Sequence, residues 1–479
     1  MLRKRYSLPV LLFVLTLGAC KVKPPQNLPT IKELPATFEE GSIPDTSQQR
    51  ISWQQFFQDA QLRALVDTAI RNNPDLLIAF QRLEQSRALI RSSRGARIPT
   101  LNAMATASFD HYGDYTLNGV GNFDTNLSPN IDKDQKIPTG LTPDYFIGFR
   151  SNWEIDIWGR LKDRQRSAVE SFLASDMARQ ALQTELVASV ASLYYDLIAL
   201  DNELRIVARN SALQDAALEV VKVQKEAGKA TELAVQQFQA QLLRTRSLEF
   251  AIRQSIVATE NELNTLCGRY PQTIARDSIR MDTPMGKWPQ PGNPAALLEN
   301  RPDLREAQHQ MTAAGFNSSA AAKAFYPGLQ LSPYIGFNAF KAALLFQPAS
   351  IAYGALAGIT APLFNRHQLK AEQLVAHAEQ REAVLQYQKK LLAAFREVRT
   401  LKAGLDNGNK AYALKQEEVR VLQAAVGTAR ELYYTGYANY LEVISAQRGA
   451  LDAELELTEQ RRDMLKLSVG LYRALGGGW

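Results

Sequence analysis

Internal repetition is the feature of this sequence that most restricts the folds open to it. The segment NNPDL at 72–76 recurs as NRPDL at 300–304, and GKATELAVQQFQAQLL at 228–243 corresponds to GYANYLEVISAQRGAL at 436–451. Self-similarity over such a distance is typical of one structural unit copied in tandem. We therefore interpret the chain as a duplication of one supersecondary unit.

The two copies occupy most of the sequence. The first repeat is predicted to span 60–270 and the second 288–479, with a link at 271–287 between them. Each copy is predicted to contain a helix, two strands and a long helical hairpin, in that order. The fold class is therefore a mixture of α and β structure, with four strands in each chain.

Period-two alternation of apolar and polar residues identifies the strands. They are predicted at about 101–112, 144–157, 329–340 and 350–363. Alternation with aromatic residues near the strand ends is typical of transmembrane β-strands, which have lipid on one face and water on the other. Because four strands cannot close a barrel around water, the chain is predicted to oligomerise.

The second predicted strand has polar side chains on one face. Arg150, Asn152, Glu154 and Asp156 alternate with apolar residues, and we predict that they line the water-filled interior of the barrel. The chain then continues without proline into a helix predicted from 160 to 226, which would be about 100 Å long. Apolar residues recur along it in steps of four and three, close to the coiled-coil period.

The N-terminus predicts export. An apolar core at 8–17 follows a positively charged start, and LGAC closes it at 17–20, which indicates a signal peptide at 1–19. The LGAC segment resembles the lipobox of bacterial lipoproteins, so Cys20 is predicted to carry the acyl chains, palmitate among them. Lys21 stands where an Asp would favour retention in the inner membrane, which favours the outer membrane. An ordinary signal peptide followed by a chance cysteine is the alternative.

Composition and charge exclude several classes of function. The formal net charge is +6 and the pI is about 9.1, but an exported chain rarely meets nucleic acid, so none is expected as a partner. No second long apolar run follows the signal peptide, so a mature chain that crosses a membrane has to do so with strands. With Cys20 lipidated, Cys267 has no partner for a disulfide and is predicted to be a packed side chain.

Several independent motifs occur together in one order. They are the lipobox, the two-fold repeat, the NxPDL segments, the strand-ending WGR at 158–160 and FNR at 364–366, and the GYANYLEVISAQ turn. Together they resemble the outer-membrane factor family, the TolC-like exit ducts, and specifically its lipoprotein branch found with multidrug and metal efflux pumps. The resemblance covers the chain from about 55 to 479.

The resemblance implies a homotrimer. Its twelve-strand barrel would span the outer membrane, and a long α-helical tunnel would continue it into the periplasm. Segments 20–59 and 271–287 would contribute to an equatorial belt around the tunnel. The implied partners are a periplasmic adaptor (a membrane fusion protein), an inner-membrane pump of the resistance-nodulation-division type, and outer-membrane lipid. The implied function is a passive gated conduit that performs no enzymatic chemistry.

The resemblance also implies roles for the two helix-turn tips. Gly228 and Gly436 lie in the tips that adaptor hairpins would grip. The alternative is that these glycines only allow the backbone to turn, since glycine tolerates positive φ.

A candidate periplasmic gate lies next to the second tip. Glu442 aligns with a family position whose acidic side chain narrows the closed pore, and three such carboxylates near a threefold axis would attract cations. Ser445 stands where relatives have an Asp, and Tyr433 matches an aromatic residue that holds the closed tip. An ordinary surface glutamate and an ordinary core tyrosine are the alternatives.

The sequence disfavours an enzymatic interpretation of one carboxylate pair. Glu154 and Asp156 would lie about 7 Å apart on one strand face, and paired carboxylates can perform acid–base chemistry. However, Pro362 stands opposite Asp156 in the second repeat, and acids are expected inside a barrel. No two histidines have the spacing of a helical metal site, so no metal or cofactor is expected.

Two other functions remain open from the residues. One is an exit duct for secreted proteins. The other is a lipid-anchored structural coiled coil without a pore, although four alternating strands argue against it. The sequence does not identify the cargo.

Overall fold

The computed structural model describes residues 28–38, 52–276, 291–362, 364 and 366–479. It divides the chain into two compact units. The strand unit contains Gln85–Phe172 and Gln310–Val384, and the helical unit contains Thr30–Glu84, Leu173–His309 and Leu385–Trp479. The predicted signal peptide and Cys20 lie outside the described residues, as does most of the link at 271–287.

The strand unit contains one antiparallel sheet with the strand order β1-β2-β3-β4. Its strands are β1 (Thr100–Asp110), β2 (Thr142–Ile155), β3 (Gly328–Ala339) and β4 (Ile351–Thr360). The four strands predicted from alternation are therefore present. The predicted end of the second strand, at 157, was too late, because β2 stops at Ile155 and a bend at 157–159 precedes the helix that begins at Arg160.

One face of the sheet is apolar and exposed. Phe149 pairs with Ile335, and Ile335 pairs with Tyr353, so apolar side chains continue from strand to strand across the sheet. Leu101 is 71% exposed and Tyr353 is 78% exposed. A contiguous apolar surface of this kind marks a contact face rather than one that meets water.

Helices account for most of the chain. They are α1 (Trp53–Phe56), α2 (Ala60–Asn72), α3 (Pro74–Gly95), α4 (Leu117–Leu127), α5 (Arg160–Glu226), α6 (Glu232–Leu266), α7 (Ala296–Asn300), α8 (Pro302–Lys323), α9 (Arg366–Thr435) and α10 (Tyr440–Ala474). The long helices α5 and α9 have 67 and 70 residues, and the returning helices α6 and α10 have 35 each. None of the helices in the described part of the chain is both long and apolar enough to cross a membrane.

The NxPDL motif ties the start of each repeat to its end, within the helical unit. Asn73 Nδ2 donates to the carbonyl oxygen of Leu266 at 2.9 Å, and Arg301 Nη1 donates to that of Ala474 at 3.0 Å. Both acceptors are the last residues of the returning helices. The structure therefore gives the residue before the proline a packing role that the repetition of the motif alone does not show.

A glycine after each returning helix completes the same junction. Gly268 and Gly476 have φ values of +64° and +92°. A Cβ on Gly268 would lie 2.2 Å from the carbonyl oxygen of Asn72, and one on Gly476 would lie 2.4 Å from that of Asn300. Both the dihedral angle and the available space therefore require glycine.

The helical unit has buried apolar cores around these junctions. One contains Phe57, Tyr194 and Leu263, and another contains Leu304 and Val398. Cys267 belongs to the first core and is fully buried, in agreement with its prediction as a packed side chain. Burial raises the pKa of its thiol, which keeps it uncharged.

Candidate functional site

The corner between β2 and α5 is formed by Trp158, Gly159 and Arg160. Trp158 Nε1 donates to the carbonyl oxygen of Pro327 at 2.8 Å, which fixes the corner next to the start of β3. Gly159 has a φ of +75°, a value that other residues rarely adopt. Arg160 Nη2 binds both carboxylate oxygens of Glu154 at 2.7 Å. Each residue of the motif thus contributes separately to turning the strand into the helix.

Three of the residues predicted to line the channel share one face of β2. Arg150, Asn152 and Glu154 alternate along the strand, and Asn152 Oδ1 accepts a hydrogen bond from Ser332 on β3 at 3.3 Å. The Glu154 carboxylate is held by Arg160, and both side chains are partly exposed. This face is therefore polar, and the charge of its acidic group is compensated.

Asp156 does not belong to this strand face. Its carboxylate accepts the backbone N–H of Leu161 at 3.1 Å and that of Lys162 at 2.8 Å. The first N–H groups of a helix have no partner inside the helix, and an acidic group there also interacts favourably with the helix dipole. The placement of Asp156 on the strand face was therefore wrong, because the start of α5 engages its carboxylate.

The sequence analysis missed an arginine–aromatic cluster on the polar face. The guanidinium of Arg150 lies 5.5 Å from the ring centroid of Phe146 and 5.7 Å from that of Tyr334. The rings occupy space left by glycines: a Cβ on Gly336 would lie 2.9 Å from the Phe146 ring, and one on Gly354 would lie 2.7 Å from the Tyr334 ring. Glycine inside a strand indicates such a close approach, but the partner is not visible in the sequence.

The two helix-turn tips have the same construction. Gly228 and Gly436 have φ values of +77° and +84°. After them, the side chains of Thr231 and Asn439 each accept a backbone N–H, at 3.2 Å and 2.9 Å. A glycine thus ends one helix and a polar cap starts the next. This geometry explains the glycines as turn residues, and contact with an adaptor stays a prediction.

The candidate gate residues Glu442 and Ser445 are both exposed near the start of α10. Asn439 Oδ1 accepts the backbone N–H of Glu442 at 3.2 Å, and Asn439 Nδ2 donates to Glu442 Oε1 at 3.3 Å. Glu442 therefore strengthens the helix start. Its carboxylate remains on the exposed surface three residues before Ser445.

Tyr433 links two long helices. Its hydroxyl group donates to Gln224 Oε1 at 2.6 Å, which connects α9 to α5. Partial burial, and to a lesser degree the neighbouring Tyr434, raises the pKa of the Tyr433 hydroxyl above its usual value of 10.0. The hydroxyl is therefore a proton donor at any physiological pH.

The structure brings part of the predicted tip together. Tyr433, Gly436 and Asn439 border one cleft with Gln224 and Thr231. The strand-face residues Arg150, Asn152 and Glu154 belong to the strand unit instead. In the described ranges, no group of three or more His, Cys, Asp or Glu side chains is arranged to hold a metal ion.

Comparison with known proteins places this geometry in a family. The sequence profile of the outer membrane efflux protein family matches residues 65–269 and again residues 293–477. The chain is 30% identical over 426 residues to the solvent efflux pump outer membrane protein SrpC of Pseudomonas putida, which covers 89% of this chain and 87% of SrpC. It is 28% identical over 434 residues to SilC of Salmonella typhimurium, a probable outer membrane lipoprotein, which covers 90% of this chain and 89% of SilC.

A solved structure has the same fold. The crystal structure of CusC superposes with a TM-score of 0.80 at 27% identity, over 95% of this chain and 99% of CusC. The two profile matches agree with the internal duplication, and the sheet and long helical hairpins agree with the superposition. The chain therefore belongs to the outer membrane efflux protein family and is an outer-membrane channel component of an efflux system.

Proposed function

We propose that three copies of this chain form a passive, gated conduit that carries small molecules out of the periplasm. The observation that carries this proposal is the four-stranded sheet with one apolar and one polar face. In a membrane barrel the apolar face of such a sheet would contact lipid and the polar face would contact water. The conduit performs no enzymatic chemistry, and the free energy for transport comes from its partners.

The edges of the sheet support assembly into a homotrimer. Within the described part of the chain, no further strand pairs with the outer edge of β1 or β4. Such edges present unpaired N–H and C=O groups, which need partners in a membrane. Pairing β4 of one copy with β1 of the next would give a closed barrel of twelve strands. The arginine–aromatic cluster and Glu154 would then face its interior.

Family membership supports the choice of partners. We propose that a periplasmic adaptor binds the tips at Gly228 and Gly436, and that an inner-membrane pump of the resistance-nodulation-division type supplies the cargo. Glu442, Ser445 and Tyr433 would form the gate next to the second tip. The exposure of Glu442 and Ser445, and the hydrogen bond from Tyr433 to Gln224, are the observations that support this assignment.

The anchor and the domain organisation belong to the same proposal. Cys20 would be lipidated after removal of residues 1–19, and segments 20–59 and 271–287 would contribute to the equatorial belt. The repeats at 60–270 and 288–479 would each supply two strands and one helical hairpin. The lipoprotein name of SilC supports the anchor.

The cargo is proposed only as a class. One relative is named for solvent efflux and another, CusC, for cation efflux, so family membership favours small molecules or ions over secreted proteins. A duct for secreted proteins is the alternative that the sequence alone left open. Loss of resistance to small toxic molecules in a deletion strain, with normal protein secretion, would separate the two.

Purified protein in detergent provides the first test. Single-particle electron microscopy should show threefold-symmetric particles, and planar bilayers should show discrete conductance steps. Glu442→Ala should increase the resting conductance, whereas Asp452→Ala, an exposed acid farther along α10, should not. Monomeric particles without conductance would overturn the proposal.

A further inference from the structure

A cleft of about 170 Å³ lies within the helical unit, between α5, α6, α9 and α10. Its walls are mainly apolar and include Val221, Phe238 and Val443. This cleft is distinct from the tip cleft bordered by Gly436, although Tyr433 and Tyr434 line both. The conduit function assigns no role to it.

Two glutamines in the wall of this cleft have buried polar atoms without hydrogen-bond partners. Gln214 on α5 is 1% exposed, and Gln447 on α10 is 7% exposed. Both side-chain polar atoms of Gln214 and the Oε1 atom of Gln447 have no partner among the described residues. A buried amide without a partner is costly, typically by about 1–3 kcal/mol, and native proteins retain few of them.

We propose that this cleft binds a small, neutral, single-ring aromatic molecule that carries a hydroxyl group. The apolar walls suit the ring, and an apolar cavity of about 150 Å³ is large enough to take up benzene. The hydroxyl can accept from Gln214 Nε2 and donate to the Oε1 atom of either glutamine. A ligand hydroxyl would thus supply a partner for a buried amide that has none among the described residues.

The charge at the cleft narrows the ligand class. Arg430 on α9 is exposed and lines the cleft, so cationic molecules are disfavoured. Ordered water is the competing occupant, because one water molecule can also bridge two amides. Water would leave the apolar wall around Phe238 unfilled, whereas an aromatic ring would contact it.

Binding of para-fluorophenol to the full-length protein in detergent tests the proposal. Fluorine NMR should show one saturable site per chain that para-fluorotoluene, which lacks the hydroxyl, fills more weakly. Gln214→Leu should lower the affinity for the phenol about fivefold to tenfold, the effect of losing one buried hydrogen bond. The same substitution should leave the binding of para-fluorotoluene unchanged or stronger.

Two further variants keep the result interpretable. Ala217→Leu adds bulk to the wall of the cleft and should abolish binding of both ligands. Gln239→Leu changes an exposed glutamine on α6 and should change neither. Equal affinities for the two ligands, or binding that survives both Gln214→Leu and Ala217→Leu, would overturn the proposal. So would a structure at saturating phenol that holds only water between the two amides.

An occupied cleft would also join four helices next to the Tyr433 hydrogen bond, so the phenol should lower the resting conductance. This consequence rests on the proposed conduit function. NMR detects binding without any conductance, so failure of the conduit and failure of the binding site are distinguishable.

Discussion

Single residues at the contact between the start and the end of each repeat show that the two copies pack in the same way. Gly268 and Gly476 occupy equivalent positions in the two repeats. Gly268 lies against the carbonyl oxygen of Asn72, and Gly476 lies against that of Asn300, the first residue of each NxPDL motif. Asn73 and Arg301 differ in chemistry but bind equivalent carbonyl groups. The junction therefore preserves an interaction rather than a residue, which is why the motif is recognisable although its second position varies.

We expect Gly268→Ala to lower the free energy of unfolding by about 2–4 kcal/mol, because it combines a positive φ with a steric clash. Gly476→Ala should have an effect of similar size. Gly427→Ala is the control, since this helical glycine has open space around it and alanine favours a helix. Thermal unfolding in detergent provides the measurement, and equal midpoints for the three variants would contradict the assignment.

Neutralising the positive or the negative charge on the polar strand face should change the ion selectivity of the channel in opposite directions. Arg150→Gln removes a positive charge and should shift the permeability ratio of the channel towards cations. Glu154→Gln leaves Arg160 without its carboxylate partner and should shift the ratio towards anions. Reversal potentials in a salt gradient measure both. A shift of the same sign in both variants would exclude this face from the permeation path.

The helices and strands were largely predictable from the sequence, because their signals are local. Alternation located β1–β4, and the glycines at 228 and 436 located the tips. The arginine–aromatic cluster was not predictable, since Arg150 and Phe146 lie on β2 but Tyr334 lies on β3. Asp156 was misplaced because two local preferences compete for it, strand alternation and the capping of α5, and the structure shows that capping dominates.

The connection between α9 and α5 is testable through Tyr433. Tyr433→Phe removes the hydrogen bond to Gln224, which is worth about 0.5–1.5 kcal/mol, and should raise the resting conductance. Tyr437→Phe, at a residue that is 86% exposed, is the matched control and should leave the resting conductance unchanged.

The pKa of the Tyr433 hydroxyl is raised, so the contribution of its hydrogen bond to stability is complete below pH 10.0 and is lost only above that value. If the resting conductance rises between pH 6 and 8, a titratable group other than Tyr433 must cause the change.

The stability of the whole chain should depend on pH through one buried acid in the helical unit. Glu203 on α5 is 9% exposed. Burial, the nearby Glu459 and Asp196 raise its pKa to about 7 from 4.5, against the opposing effect of Arg462. From the sequence alone, a glutamate within a helix is expected to be exposed, so the burial of Glu203 could not be predicted.

The sign of this dependence follows from linkage. A raised carboxyl pKa means that the folded state binds the proton more tightly than the unfolded state does, so the contribution is complete below pH 4.5 and declines as the pH rises through about 7. Glu203→Gln mimics the protonated side chain and should raise the free energy of unfolding at pH 8 by roughly 1–2 kcal/mol, with little effect at pH 4.5. Glu219→Gln, an exposed site on the same helix, should leave the pH profile unchanged. Unfolding midpoints measured from pH 4.5 to pH 8 test this prediction. Parallel profiles for the wild type and Glu203→Gln would contradict it, because they would mean that Glu203 is ionised in the folded protein across this range.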